Sequence, residues 1–196
     1  ACAGGGDSSS SSSAGTNPFT SWSATIAANT PVTFSGGSVS TMSLDGTAVQ
    51  SDSDGTATLA LGGNGIFSSI NASTPTSSVS FSAAKGDSLQ SGFNQVSTIA
   101  LNKAETTIGV FANPTYYGFE YQTFGAWGSY GNATTSSAAI SVGNITPVTG
   151  LPSTGTYTFT GAAAGYFTDA SKNSYVTNAN MFATVSFDNR TVAFNT

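Results

Sequence analysis

Apolar and polar side chains alternate along many short runs of this chain, and such alternation predicts β-strands with one face against a core. Gly, Asn and Asp separate the runs, and Gly and Asn suit tight hairpin turns because they accept positive φ. The predicted turns lie at residues 45–46, 54–55 and 62–65. The clearest runs in the first half are residues 31–34, 38–44, 56–61 and 78–82. The pattern predicts a strand meander from about residue 19, with a short helix compatible only with residues 83–96.

A second block of strands begins near Glu105 and contains the densest aromatic segment of the chain. Residues 116–130 carry seven aromatic side chains, which predicts that this segment contributes to a core. A ligand-binding platform is the alternative for the same segment. The side chains predicted to be in the core are Trp127, Tyr121, Phe124 and Tyr157. The later runs are residues 106–112, 156–160, 164–168, 181–187 and 191–194, with a turn at 188–190.

Composition supports an all-β fold. The 196 residues include 32 Ser, 29 Thr and 23 Gly but only six Leu and two Glu, so β-branched and turn-forming residues far outnumber strong helix formers. A hydrophobic fraction of 38% is sufficient for a packed core. The four cationic residues are too few to neutralise a row of phosphates, so nucleic acid is not an expected partner.

Catalytic and metal-binding residues are scarce. The chain has no His, which removes the usual general base and the commonest zinc ligand, and its nine acidic residues are scattered without a motif. We therefore predict a protein that is not an enzyme and has no cofactor or metal. A glycosidase would need folding to bring two carboxylates together. Asp52 and Asp54 are spaced as at the start of a calcium loop, but no acidic residue closes it, and an Asp-Gly turn is the simpler interpretation.

The N-terminus predicts a tether. Residues 1–17 hold the single cysteine, Cys2, followed by a Gly/Ser-rich run that contains six consecutive Ser. Such a run has no large apolar side chain to offset the entropy of ordering the backbone, so we expect a flexible linker. With one cysteine, an internal disulfide is excluded.

Cys2 followed by this tether resembles the start of a processed bacterial lipoprotein. The resemblance implies that the Cys2 thiol is the attachment point of a lipid that anchors the domain to a membrane. The alternative is a free thiol, because Ala1 precedes Cys2 whereas a processed lipoprotein begins with the cysteine itself. No stretch of 18 apolar residues occurs in the chain.

Three segments of the second block carry a wider resemblance. They are the Trp-Gly segment at 121–129, the Pro-x-x-Gly-Thr segment at 151–165 and the Phe-x-Asn-x-Thr-Val hairpin at 183–192. In this order they are similar to the first half of the β-barrel in transferrin-binding-protein-like surface lipoproteins of Gram-negative bacteria. The resemblance implies a β-rich handle-like domain at residues 18–104 and an antiparallel β-barrel, incomplete in this chain, at residues 105–196.

The resemblance also implies a function. We expect a non-catalytic lipoprotein at the bacterial cell surface, anchored to the outer membrane, whose β scaffold binds a protein or small ligand such as a host iron protein or haem. Without His, haem would need Tyr or Met as its axial ligand. The incomplete barrel leaves residues 191–196 as an apolar strand edge, which predicts a protein partner or self-association. The alternative is a structural subunit of an extracellular filament, matrix or membrane-associated complex.

Overall fold

The protein is all-β, as the alternation pattern and the composition predict. The computed structural model describes residues 29–42, 54–92, 97–114, 122–129, 136–143, 148–168 and 174–195. Two short 3-10 turns lie at Ala83–Lys85 and Val148–Gly150. The strands are β1 Val32–Met42, β2 Asp54–Leu61, β3 Phe67–Ser73, β4 Ser78–Ser82, β5 Ser88–Ser91, β6 Ser97–Leu101, β7 Thr107–Ala112, β8 Gln122–Ser129, β9 Ser136–Gly143, β10 Thr156–Thr168, β11 Ser174–Ser186 and β12 Thr191–Asn195.

Nine of these strands form one antiparallel sheet in the order β4-β3-β2-β1-β9-β8-β7-β6-β5. Its two edge strands, β4 and β5, are consecutive along the chain and contact each other. The sheet therefore curls into a nearly closed barrel. The predicted antiparallel barrel-like architecture is thereby confirmed. The remaining strands form a second sheet in the order β10-β11-β12.

The direction of the strands explains why the barrel has one seam. A ring in which all neighbours are antiparallel needs an even number of strands, but this sheet has nine, so β4 and β5 run in the same direction. Parallel neighbours need a crossover of about a dozen residues or more, and only residues 83–87 join these two strands. Hence β5 continues in the direction of β4, and the two strands do not pair along the seam.

β1 changes its pairing partners along its length. Residues 32–37 of this strand pair with β2, whereas residues 36–42 pair with β9. Gly36 takes part in both pairings, and a Cβ atom there would overlap the carbonyl oxygen of Ser141. Glycine therefore allows the close backbone approach at this corner, where β1 passes from one side of the barrel to the other.

Aromatic rings packed over glycines fill the barrel interior. Phe111 on β7 packs edge-on to Phe81 and parallel to Trp127, with ring centroids 6.4 Å apart in both pairs. A Cβ atom at Gly109 would lie 2.6 Å from the Phe111 ring, and one at Gly125 would overlap that ring. Alternating large and absent side chains on β7 and β8 thus give the Phe111 ring its space.

Two polar groups of the interior donate hydrogen bonds to neighbouring segments. The Trp127 indole N–H donates to Ser77 Oγ at 2.9 Å, which ties β8 to the turn before β4. The buried Thr123 hydroxyl donates to the Ala112 carbonyl oxygen at 2.8 Å. Both bonds satisfy donors that would otherwise be buried at a cost.

The second sheet lies against the outside of the barrel. β10 contacts β7 and β8. Val110 and Ala112, which alternate with the interior residue Phe111 and so face outward, are fully buried. The barrel wall is therefore apolar on both sides at β7, and the three-stranded sheet is attached to a packed surface.

Several local predictions can be compared with the structure. The turn at residues 62–65 joins β2 to β3, and the turn at 188–190 joins β11 to β12, as predicted. The turn predicted at 54–55 is wrong, because Asp54 and Gly55 begin β2 and pair with β1. Of the segment 83–96 that could hold a short helix, only Ala83–Lys85 form a 3-10 turn among the described residues, because β5 follows as an edge strand; residues 93–96 lie outside the described residues. The turn predicted at 45–46 lies outside the described residues.

The four predicted core side chains divide between different environments. Trp127, 1% exposed, is in the core as predicted, whereas Tyr121 lies outside the described residues. Phe124 is only half-buried, because it alternates with the interior residues Thr123 and Gly125 and so faces outward. Tyr157 is 44% exposed, so its assignment to the core is wrong.

The predicted domain boundary between residues 104 and 105 lies in the turn between β6 and β7. These two strands pair directly in the nine-stranded sheet. Strands from both sides of the boundary thus share one barrel-like sheet, and the division into a handle-like domain and a barrel stays a prediction.

Replacement of Gly125 by Ala tests the packing of Phe111. We expect Gly125→Ala to lower the free energy of unfolding by about 1–3 kcal/mol, because the new methyl group overlaps the Phe111 ring. The measurement is urea denaturation followed by tryptophan fluorescence. Gly63→Ala is the matched control, since a Cβ atom there meets no atom within 4 Å. Equal stabilities of the two variants would contradict this account.

Two buried threonines give opposite predictions for the same substitution. The fully buried Thr98 hydroxyl has no hydrogen-bond partner in the described part of the chain, whereas the Thr123 hydroxyl has one. Because valine removes the polar atom, we expect Thr98→Val to raise the free energy of unfolding by about 1 kcal/mol and Thr123→Val to lower it by about 1 kcal/mol. Urea denaturation of both variants measures the two changes. Destabilisation by Thr98→Val would show that its hydroxyl has a partner.

Candidate functional site: an apolar groove on the three-stranded sheet

The two faces of the three-stranded sheet differ in polarity because of its register. Tyr157 on β10 pairs with Val185 on β11, which pairs with Val192 on β12. Two positions further, Phe159 pairs with Ala183, which pairs with Phe194. Directly paired residues point to the same side, so these side chains share one apolar face. The opposite face carries mainly Thr, Ser and Asn.

The apolar face forms an open groove of about 540 Å³. This volume is in the range of small-molecule binding sites. None of the described residues that line the groove is charged. The lining residues are Leu151, Pro152, Tyr157, Phe159, Met181, Ala183, Val185, Phe187, Val192 and Phe194.

Large apolar side chains of the groove remain open to solvent. Phe194 is 70% exposed, and Leu151, Tyr157 and Val192 are each about half exposed. The groove floor is less accessible, since Ala183 is buried. An exposed apolar patch of this kind typically marks a ligand-binding groove or a surface for another macromolecule.

The end of the groove nearest the β11–β12 turn is held by hydrogen bonds. The Phe187 N–H donates to the Gly155 carbonyl oxygen, and the Gly155 N–H donates to Asp188 Oδ2, both at 2.9 Å. Gly155 has a φ of 96°, a left-handed conformation that suits glycine. The Tyr157 and Phe187 rings meet edge to face with centroids 5.6 Å apart. These contacts fix the position of two groove residues.

β12 is one of the two outer strands of this sheet. It pairs with β11 on one side, and no other described strand pairs with its second side. All five of its residues, Thr191–Asn195, are exposed, and none is charged or proline. Proteins commonly protect edge strands with charges, proline or bulges, so this edge keeps the ability to pair with another strand.

The structure places the other predicted site residues as follows. Cys2, the predicted lipid attachment point, and Asp52 lie outside the described residues. Asp87 accepts hydrogen bonds from backbone amides in the barrel, and Asp188 does so in the second sheet. In the described ranges, His, Cys, Asp and Glu form no cluster of three or more that would hold a metal ion.

The groove was not predicted as a site from the sequence. Its strands were predicted, but the alternation of Tyr157 and Phe159 with threonines indicates only which side of β10 is apolar. Whether another element covers that side depends on contacts between distant segments. The exposed β12 edge was predicted as the apolar edge at residues 191–196.

Helices among the described residues are too short or too polar to cross a membrane. Comparisons with protein-family models, curated proteins and solved structures gave no match. The resemblance to transferrin-binding-protein-like lipoproteins therefore stays a prediction.

Proposed function

We propose that this protein is a non-catalytic binding module in which the barrel is the scaffold and the groove on the three-stranded sheet binds the ligand. The observation that carries this proposal is the groove itself, which combines exposed aromatic side chains with a lining free of charge. The ligand that fits this chemistry is an uncharged apolar molecule or an apolar segment of a protein.

The barrel supports this role as a packed scaffold. Its aromatic core is closely packed, and β10 lies against the barrel wall at β7 and β8. In the family that the sequence resembles, the corresponding ligands are host iron proteins or haem. Tyr157 and Met181 both line the groove and are the side chains there able to ligate haem iron.

We further propose that the module is a lipoprotein anchored by Cys2 to the outer membrane of a Gram-negative bacterium. The sequence supports this location, since Cys2 is followed by a long Gly/Ser-rich run. The lipid would hold the binding domain at the cell surface, and the run would separate it from the membrane.

A second candidate function is a structural subunit of an extracellular filament, matrix or membrane-associated complex. The exposed edge of β12 favours it, because an uncharged strand edge pairs readily with a strand of another chain. In that case the groove would be covered by the neighbouring subunit.

Binding of the uncharged fluorescent dye Nile red tests the groove. We expect Phe194→Ser to weaken dye binding by about ten- to 150-fold, because a phenylalanine contact contributes about 1.5–3 kcal/mol. Fluorescence titration of the purified chain measures the dissociation constant. Phe182→Ser is the matched control, because Phe182 is 51% exposed but pairs with Thr160 and Asn195 on the opposite face of the sheet. Equal dye affinities of the two variants would refute binding in the groove.

Intact-mass measurement tests the proposed lipid anchor. We expect the native protein, extracted from membranes with detergent, to have a mass above that of its polypeptide by a diacylglycerol and, where present, an amide-linked acyl chain. The increment should map to the peptide that contains Cys2 and disappear in the variant Cys2→Ser. An unmodified Cys2 thiol in the native protein would contradict the anchor and leave the groove hypothesis intact.

A further inference from the structure

The Asp87 side chain bridges the seam between β4 and β5, beside one backbone hydrogen bond from the Asp87 N–H to the Ser82 carbonyl oxygen at 3.2 Å. Asp87, at the end of the link between these strands, accepts a hydrogen bond from the Ser82 N–H through Oδ2 and another from the Lys103 N–H through Oδ1, both at 2.8 Å. Ser82 is the last residue of β4, and Lys103 lies in the turn between β6 and β7. One carboxylate thus connects the two sides of the seam.

β5 has few other attachments. It has four residues, pairs with β6 alone among the described strands, and exposes Gln90 and Ser91 to solvent. Its one large apolar side chain, Leu89, is only partly buried against the core. Short strands with exposed hydrogen bonds and few buried apolar contacts open locally at a lower free energy than the whole domain.

The opposite side of the seam is more firmly held. β4 pairs with β3 along its length, and Phe81 on this strand is fully buried against Phe111. The hydrogen bond between Trp127 and Ser77 fixes the turn that precedes β4. Opening of the seam would therefore move β5 and leave β4 in place.

We propose that β5 is a segment of the barrel wall that opens locally and that the hydrogen bonds of Asp87 hold it in the closed position. When both amide hydrogen bonds of Asp87 break and the four-residue pairing of β5 with β6 opens, β5 uncovers the barrel interior beside Leu89 and Phe81, while the other strands remain paired. The device is independent of the groove, which lies on the second sheet.

Hydrogen exchange of the full chain tests this proposal. We expect Asp87→Ala to speed exchange at least ten-fold in the amides of residues 88–91 and 97–101 that bond across the β5–β6 pair, because it removes two charge-assisted hydrogen bonds that together bridge the seam. In the unmodified chain these amides should already exchange at least ten-fold faster than those of β8 and β9, because β5 opens without unfolding of the whole domain. Mass spectrometry of peptides from each strand measures both rates.

Asn102→Ala is the matched control. The Asn102 Oδ1 also accepts two backbone amides, those of Thr106 and Thr107, but both lie in its own turn. We expect this variant to leave exchange in residues 88–91 unchanged. If Asp87→Ala does not fold, Asp87→Asn, which keeps one acceptor oxygen, is measured by the same criterion. The proposal is wrong if β5 exchanges no faster than β8 and β9 in the unmodified chain, or if Asp87→Ala leaves exchange in β5 unchanged.

Discussion

The packing of the Phe111 ring over Gly125 and against Gly109 is the contact on which the barrel depends. Two glycines on adjacent strands leave the space that one large ring fills, and Phe81 and Trp127 pack on either side of that ring. Protein interiors are close-packed, so a ring of this size determines which side chains its neighbours can carry. The pairing of β7 with β8, and the position of Trp127 beside the turn before β4, follow from this arrangement.

The edge strands of the barrel and of the second sheet differ in what covers them. β4 and β5 cannot pair as antiparallel neighbours, because nine strands leave one parallel junction, and a side-chain carboxylate bridges that junction instead. In the described part of the chain no side chain bridges the β12 edge in this way, and β12 carries exposed Val192 and Phe194. An exposed apolar strand costs solubility, and its retention beside a groove is consistent with a surface used for binding.

Much of the fold could be predicted from local pattern. β2, β4, β7 and β12 were each found from alternation, since strand periodicity is a property of a few consecutive residues. Asp54 and Gly55 show the limit: as a dipeptide they favour a turn, yet pairing with β1 makes them part of a strand. The helix expected within residues 83–96 does not extend over Ser88–Ser91, because these residues pair with β6 as strand β5.

By itself, the sequence determined an all-β protein poor in charge, the two hairpin turns at 62–65 and 188–190, and the place of Trp127 in a core. Only the tertiary structure decided that Tyr157 lies in an open groove, that Phe124 faces outward, and that Asp87 bridges a seam. The reason is physical: alternation fixes which side chains share a face, but what covers that face depends on segments far apart in the chain, whose contacts leave no local periodic signal.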